Sequence, residues 1–155
     1  MSRGVYTLLI ELEDEQTIKV KPDLSWHLLK GRYIYTGSAL GRGSTSLERR
    51  LERHLKASKK IFWHIDRLLS GFGKVVKVAY AEASVKIECE LNKKILSLLE
   101  AKPIKGFGSS DCRCGCIGHL LYLNPNQQYL DELLRRAYFE LGLNYRELSM
   151  GLEDK

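Results

Sequence analysis

The sequence predicts an α+β (α/β) fold, a small central mixed or antiparallel sheet flanked by helices with an extra C-terminal helix, on three observations. Short β-branched and aromatic runs recur along the chain, as in Val5-Tyr6-Thr7-Leu8-Leu9-Ile10 and Val75-Val76-Lys77-Val78-Ala79-Tyr80. Between and after them, leucines and isoleucines fall at helical spacing, as in Leu47/Leu51/Leu55 and Ile87/Leu91/Ile95/Leu98. The 155 residues suffice to bury one core without disulfides or metals. Residues 1–123 are expected to form the main unit, and residues 124–155 a packing helix and tail of the same compact body.

Val5 to Ile10 reads as a buried strand. The acidic turn Glu13-Asp14-Glu15-Gln16 then leads into Thr17 to Lys21, whose alternation suits a half-exposed partner, so the chain is expected to start as a hairpin. The stretch from Pro22 to Gly31 fits either an irregular strand or a short helical turn. Tyr33-Ile34-Tyr35-Thr36 is the next expected strand, closed by Gly37. Gly37, Gly41 and Gly43 with Ser38, Ser44, Thr45 and Ser46 form a loop ending in capping residues, before a helix over about 47–57. At about 100° per residue, Arg49, Arg53 and Lys56 project away from its apolar seam, whereas Arg50 and His54 flank it.

A short helix near Phe62 to Ser70 turns Phe62, Ile65 and Leu69 inward, with Trp63, His64 and Asp66 holding it to the core; Gly71 and Gly73 stop it before the strand at Val75. A longer helix is expected over about 84–100. There Glu88 borders the seam and Glu90 points well away. Residues 103–116 read as a Gly-, Ser- and Cys-rich loop, followed by a strand from Ile117 to Leu123. Asn124-Pro125-Asn126 breaks it, and Leu130, Leu133, Leu134, Ala137, Tyr138 and Leu141 mark a last amphipathic helix that covers the sheet or a partner subunit, the latter making a homo-oligomer.

Lys and Arg number 25 against 19 Asp and Glu, a formal net charge of +6. The distribution says more than the total. Arg42, Arg49, Arg50, Arg53, Lys56, Lys59 and Lys60 cluster in one segment against only Glu48 and Glu52. Such a strip is the electrostatic footprint expected for phosphates, or else a solvated helix face. No run of about 18 apolar residues and no signal-peptide pattern is present, so a soluble cytoplasmic protein without a membrane partner is expected.

Gly4-Val5-Tyr6 in the first strand and Tyr35-Thr36-Gly37 in a later one, followed by an Arg-bearing and then a Glu-bearing helix, resemble the GIY-YIG nuclease superfamily. Tyr33-Ile34-Tyr35-Thr36-Gly37-Ser38-Ala39-Leu40, Trp63-His64-Ile65-Asp66, Glu88-Cys89-Glu90-Leu91 and Gly106-Phe107-Gly108-Ser109-Ser110-Asp111-Cys112 more closely resemble a poorly characterised archaeal and bacterial branch of it, also found fused to endonuclease-III-type glycosylases. The resemblance covers about residues 3–123. It implies a metal-dependent endonuclease acting on DNA, with repair as the expected setting, or a non-catalytic nucleic-acid-binding module of the same fold. In the catalytic case it implies Tyr6 and Tyr35 as the motif tyrosines, Arg50 on the scissile phosphate and Glu88, with Glu90 as the alternative, holding Mg²⁺ or Mn²⁺. A guanidinium and a hard cation offset charge on the phosphate and leaving oxygen, and Mg²⁺ tolerates one carboxylate and several waters. His54 would contact a phosphate, orient Tyr35 or serve as a core histidine. The two tyrosines stand 29 positions apart, longer than in compact members, so a segment between them must be accommodated.

Three of the four cysteines, Cys112, Cys114 and Cys116, lie within five residues, near His119. That grouping is compatible with zinc, with a disulfide or with packed thiols; alternate residues of an extended chain point to opposite sides, which disfavours four so close on one tetrahedral ion. Asp111 and His119 flank the same loop and are candidates for entering the site.

Overall fold

The computed structural model of the chain describes residues 3–39, 47, 51, 54, 64–69, 73–107 and 115–148. Eight strands are present among them: β1 (Gly4–Leu12), β2 (Gln16–Lys21), β3 (Leu24–Leu28), β4 (Gly31–Ala39), β5 (Gly73–Glu82), β6 (Ala101–Pro103), β7 (Leu120–Leu123) and β8 (Arg146–Leu148). Three helices have defined bounds: α1 (His64–Leu69), α2 (Glu88–Leu98) and α3 (Leu130–Glu140). Leu47, Leu51 and His54 are also helical. No helix among the described residues is long and apolar enough to cross a membrane.

Six strands form one sheet in the order β6-β7-β4-β1-β5-β8, and β2 with β3 forms a separate ribbon. Every strand pairing is antiparallel. The expected opening hairpin of β1 with β2 is therefore corrected. β2 pairs with β3, while β1 pairs with β4 on one side and β5 on the other. The physical reason lies in β1 itself, which buries Tyr6, Leu8, Ile10 and Leu12 on one face and Val5 and Thr7 on the other. A strand apolar on both faces belongs at the centre of a sheet covered on both sides. The half-exposed Thr17 to Lys21 segment suits a peripheral ribbon instead. The ambiguous stretch after Pro22 resolves as β3, and the β2–β3 ribbon is what occupies the long interval between Tyr6 and Tyr35.

Alternation along the strands creates two cores. Tyr6, Leu8, Ile10, Tyr33, Tyr35, Val78 and Leu120 face the helical Leu47 and Leu51, the buried Ile65, Leu68 and Leu69 of α1, and Ile18, Trp26 and Leu28 of the ribbon. Val5, Ile34, Ala79, Ala81, Leu121 and Leu123 face Leu91 and Ile95 of α2 and Leu134, Ala137 and Tyr138 of α3. At roughly 1.5–3 kcal/mol per fully buried large apolar side chain, these two layers dominate the stability of the sheet. The C-terminal helix thus covers the sheet, and the Tyr138 hydroxyl meets Thr7 Oγ1 of β1 at 2.8 Å.

Several expected bounds shift. α2 starts at Glu88 rather than near Ser84, because the Ala83 amide donates to the Arg3 carbonyl and keeps the chain extended past β5. The loop expected from Pro103 begins after β6, a short edge strand paired with β7. β8 was not expected at all. It adds to β5 beside Lys77, whose ammonium pairs with Asp131 of α3 and lies 2.9 Å from Glu147 Oε1.

Candidate functional site

The β1/β4 register decides where the motif residues go. Tyr6 lies opposite Gly37 and Tyr35 opposite Leu8, so the two tyrosines occupy the same face on diagonal positions, with ring centroids 6.5 Å apart. On its other side Tyr6 lies opposite Tyr80 of β5. Gly37 is required by this arrangement. A Cβ there would stand 2.5 Å from the Tyr6 hydroxyl oxygen and 2.7 Å from Cζ. The glycine lets the tyrosine ring lie across the neighbouring strand.

His54 completes the group. Its Nε2 is 2.8 Å from the Tyr6 hydroxyl, and its ring packs 5.2 Å from Tyr6 and edge-on to Tyr35 at 6.4 Å. Tyr6 is 1% exposed, His54 2% and Tyr35 8%. His54 is thus a partner of the first tyrosine inside the core. Of the expected basic residues, Arg42, Arg49, Arg50, Arg53, Lys56, Lys59 and Lys60 lie outside the described residues.

Glu88 belongs to a second group, on the opposite face of β4. Strand alternation sends Tyr35 and Gly37 to the tyrosine face and Thr36 and Ser38 to the other. The Ser38 hydroxyl donates to Glu88 Oε1 at 3.0 Å, and Lys86 Nζ lies 3.4 Å from the same oxygen. Glu88 Oε2 is 3.9 Å from His119 Nδ1. The Glu88 side chain is 13% exposed, whereas Glu90 is exposed, as the angular count of the helix expects.

His119 reaches this face because Leu120 pairs with Tyr35, which turns the preceding residue toward Thr36 and Ser38. The segment carrying it is held firmly by backbone. Gly106 N donates to the Ile117 carbonyl, His119 N to Phe107 and Ile104 N to Leu120, each at 2.8 Å. Gly118 lies so close to the Ile104 carbonyl that a Cβ would stand 2.0 Å from its oxygen. Asn92 of α2 donates from Nδ2 to the Gly118 carbonyl at 2.9 Å, tying the helix to the same loop.

Cys89, Cys116 and His119 converge there, their ligand atoms all within 4.8 Å of one another, as a group able to hold a metal ion. The sequence reading named Cys116 and His119 but missed Cys89. Its signal was available, since Cys89 follows Glu88 at the start of a helix whose seam runs through Leu91 and Ile95, and it is buried with them. Cys112, Cys114 and Asp111 lie outside the described residues. Cys89 and Cys116 are not joined to each other in a disulfide.

No curated protein and no solved structure matches the chain. One family model matches residues 5–141, an interval that holds both tyrosines, His54, Glu88 and the Cys89, Cys116 and His119 group. The chain therefore belongs to the family described as domain of unknown function DUF123.

Proposed function

We propose that this chain is a metal-dependent nuclease that hydrolyses phosphodiester bonds in DNA, with a GIY-YIG-type site. The observation that carries this reading is the Tyr6–His54 pair, a phenol and an imidazole 2.8 Å apart with Tyr35 alongside on the neighbouring strand. An isolated tyrosine, with an ordinary pKa near 10, is a poor base at neutral pH. With Nε2 unprotonated, the Tyr6 hydroxyl can pass its own proton to His54 as its oxygen takes one from an attacking water, so that the imidazole is the final proton acceptor. In this reading Arg50 supports the phosphate, and the basic segment around it draws in the backbone of the nucleic acid.

Glu88 fits the single carboxylate of an Mg²⁺ or Mn²⁺ site. Its Oε1 stands beside the Ser38 hydroxyl, so a carboxylate and a hydroxyl oxygen are available to a hard cation that keeps several waters. A cation bound there would supply Lewis-acid stabilisation of the phosphate. Lys86, 3.4 Å away, would then be free to pair with a phosphate oxygen.

A second reading, a nucleic-acid-binding module without catalysis, is favoured by two specific observations. Tyr6 is 1% exposed, and Glu88 meets Ser38 on the opposite side of β4 from the tyrosines. One experiment separates the two. The protein is incubated with flapped, nicked, branched and damaged DNA in Mg²⁺ or Mn²⁺, alongside Tyr6→Phe and Glu88→Ala. The nuclease reading expects cleavage, reduced about 10²-fold or more in Tyr6→Phe and abolished in Glu88→Ala. Binding that weakens with salt but never leads to cleavage supports the module. Equal cleavage by parent and variants refutes the catalytic assignment, and absence of both binding and cleavage refutes the nucleic-acid reading.

A further inference from the structure

We infer that Cys89, Cys116 and His119 supply three ligands of a bound zinc ion. The inference goes beyond the nuclease reading and does not rest on it. Three lines of geometry support the site. Cys89 Sγ lies 3.9 Å from His119 Nε2, and all three ligand atoms fall within 4.8 Å of one another. Zinc–sulfur bonds of about 2.3 Å and zinc–nitrogen bonds of about 2.0–2.1 Å at tetrahedral angles separate the ligands by roughly 3.5–3.8 Å. Contraction by about 1 Å or less closes the set around the ion, which small side-chain rotations supply.

The second line is the surroundings of His119. Its Nε2 faces the cysteine, while its Nδ1 faces Glu88 Oε2 at 3.9 Å. A metal-bound histidine characteristically offers its other ring nitrogen to a carboxylate, which fixes the ring and its tautomer. Glu88 can serve His119 through Oε2 and still offer Oε1 toward Ser38. The two proposed metal sites therefore use different oxygens.

Chemistry and preorganisation form the third line. Two thiolates and a neutral imidazole cancel the charge of a dication, so the filled site carries no net charge into a buried corner. Soft sulfur with imidazole selects zinc over Mg²⁺ or Mn²⁺. The backbone hydrogen bonds of Gly106, His119 and Ile104 and the Asn92–Gly118 bond hold the ligand-bearing segment against α2 before any ion arrives. The ion would clamp the first turn of α2 to the strand-edge loop that carries His119.

The test is metal content of the full chain, purified under reducing conditions without a histidine tag and supplied with zinc. About one zinc per chain is expected, lost in Cys89→Ser and in Cys116→Ser. Glu88→Gln should keep the stoichiometry but weaken zinc affinity by about 10–100-fold. Cobalt substituted into the parent protein gives a measurement independent of variant folding, with tetrahedral d–d bands and charge transfer of two-thiolate intensity expected. A parent protein without zinc or without thiolate-to-cobalt bands overturns the inference. So does full zinc in Cys89→Ser. No outcome depends on nucleic acid, so zinc binding and nuclease activity stand or fall separately.

Discussion

Replacing Gly37 with alanine tests the central packing claim, that the tyrosine pair is possible only because the opposite strand lacks a side chain. The added Cβ would lie 2.5 Å from the Tyr6 hydroxyl oxygen, 2.7 Å from Cζ and 3.1 Å from Cε2. Displacing the far end of a tyrosine costs little on a surface, but this ring is fully buried between Gly37 and Tyr80, with its hydroxyl committed to His54. Overpacking of a filled core costs about 1–3 kcal/mol, and a broken hydrogen bond adds about 0.5–1.5 kcal/mol. The expected destabilisation is about 2–4 kcal/mol. At about 2–4 °C per kcal/mol for a chain of this size, the melting temperature should fall by roughly 5–15 °C. Urea unfolding at unchanged m-value measures the effect, and a double-mutant cycle assigns it. In a Tyr6→Leu background the branched but shorter side chain no longer reaches Gly37, so Gly37→Ala should cost under about 1 kcal/mol. An equal cost in both backgrounds would show that the clash with Tyr6 is not the cause.

The Thr7–Tyr138 bond, which joins the central strand to the C-terminal helix, should behave as a buried pair. Thr7→Val or Tyr138→Phe alone should destabilise by about 1–3 kcal/mol, because each leaves a buried polar partner. The double variant should cost clearly less than the sum, and strict additivity in urea denaturation would refute the coupling. Acid stability should depend on Glu147. Its partial burial pushes the carboxyl upward, but hydrogen bonds from Lys77 and Tyr145, with the charges of Lys77 and Arg135, outweigh that and hold it below the ordinary carboxylate range. A lowered folded pKa means the stabilisation is fully present above the unfolded value of about 4.3 and is lost as pH falls through the lower folded value. Glu147→Gln should therefore be less stable than the parent near neutral pH and converge with it in acid. A gap that stays constant with pH would refute the assignment.

Much of the architecture was legible because it rests on local periodicity. The buried character of Val5 to Ile10, the seam of Leu91 and Ile95, the inward Leu134, Ala137 and Tyr138, and the contrast between Glu88 and Glu90 all follow from where a side chain falls on a strand or helix. The strand around Tyr35 was also readable, but Gly37 was expected to close it, whereas β4 runs on to Ala39 and sets Gly37 opposite Tyr6.

Strand partners were not legible, because a strand's hydrogen-bonding edges carry no sequence signature of the neighbour they will meet. That is why the expected β1/β2 hairpin proved wrong and β8 went unforeseen. Register then decided the site. It put Tyr6 and Tyr35 on one face with His54, and turned Ser38 and His119 to the other with Glu88. By itself the sequence determined which residues are apolar, basic or metal-binding in kind, and which short segments are strands or helices. Only the tertiary structure decided that Cys89, 27 positions from Cys116, becomes its neighbour beside His119. The physical reason is that contact between residues distant in sequence is fixed by packing of the sheet against α2, a long-range compromise that no local pattern encodes.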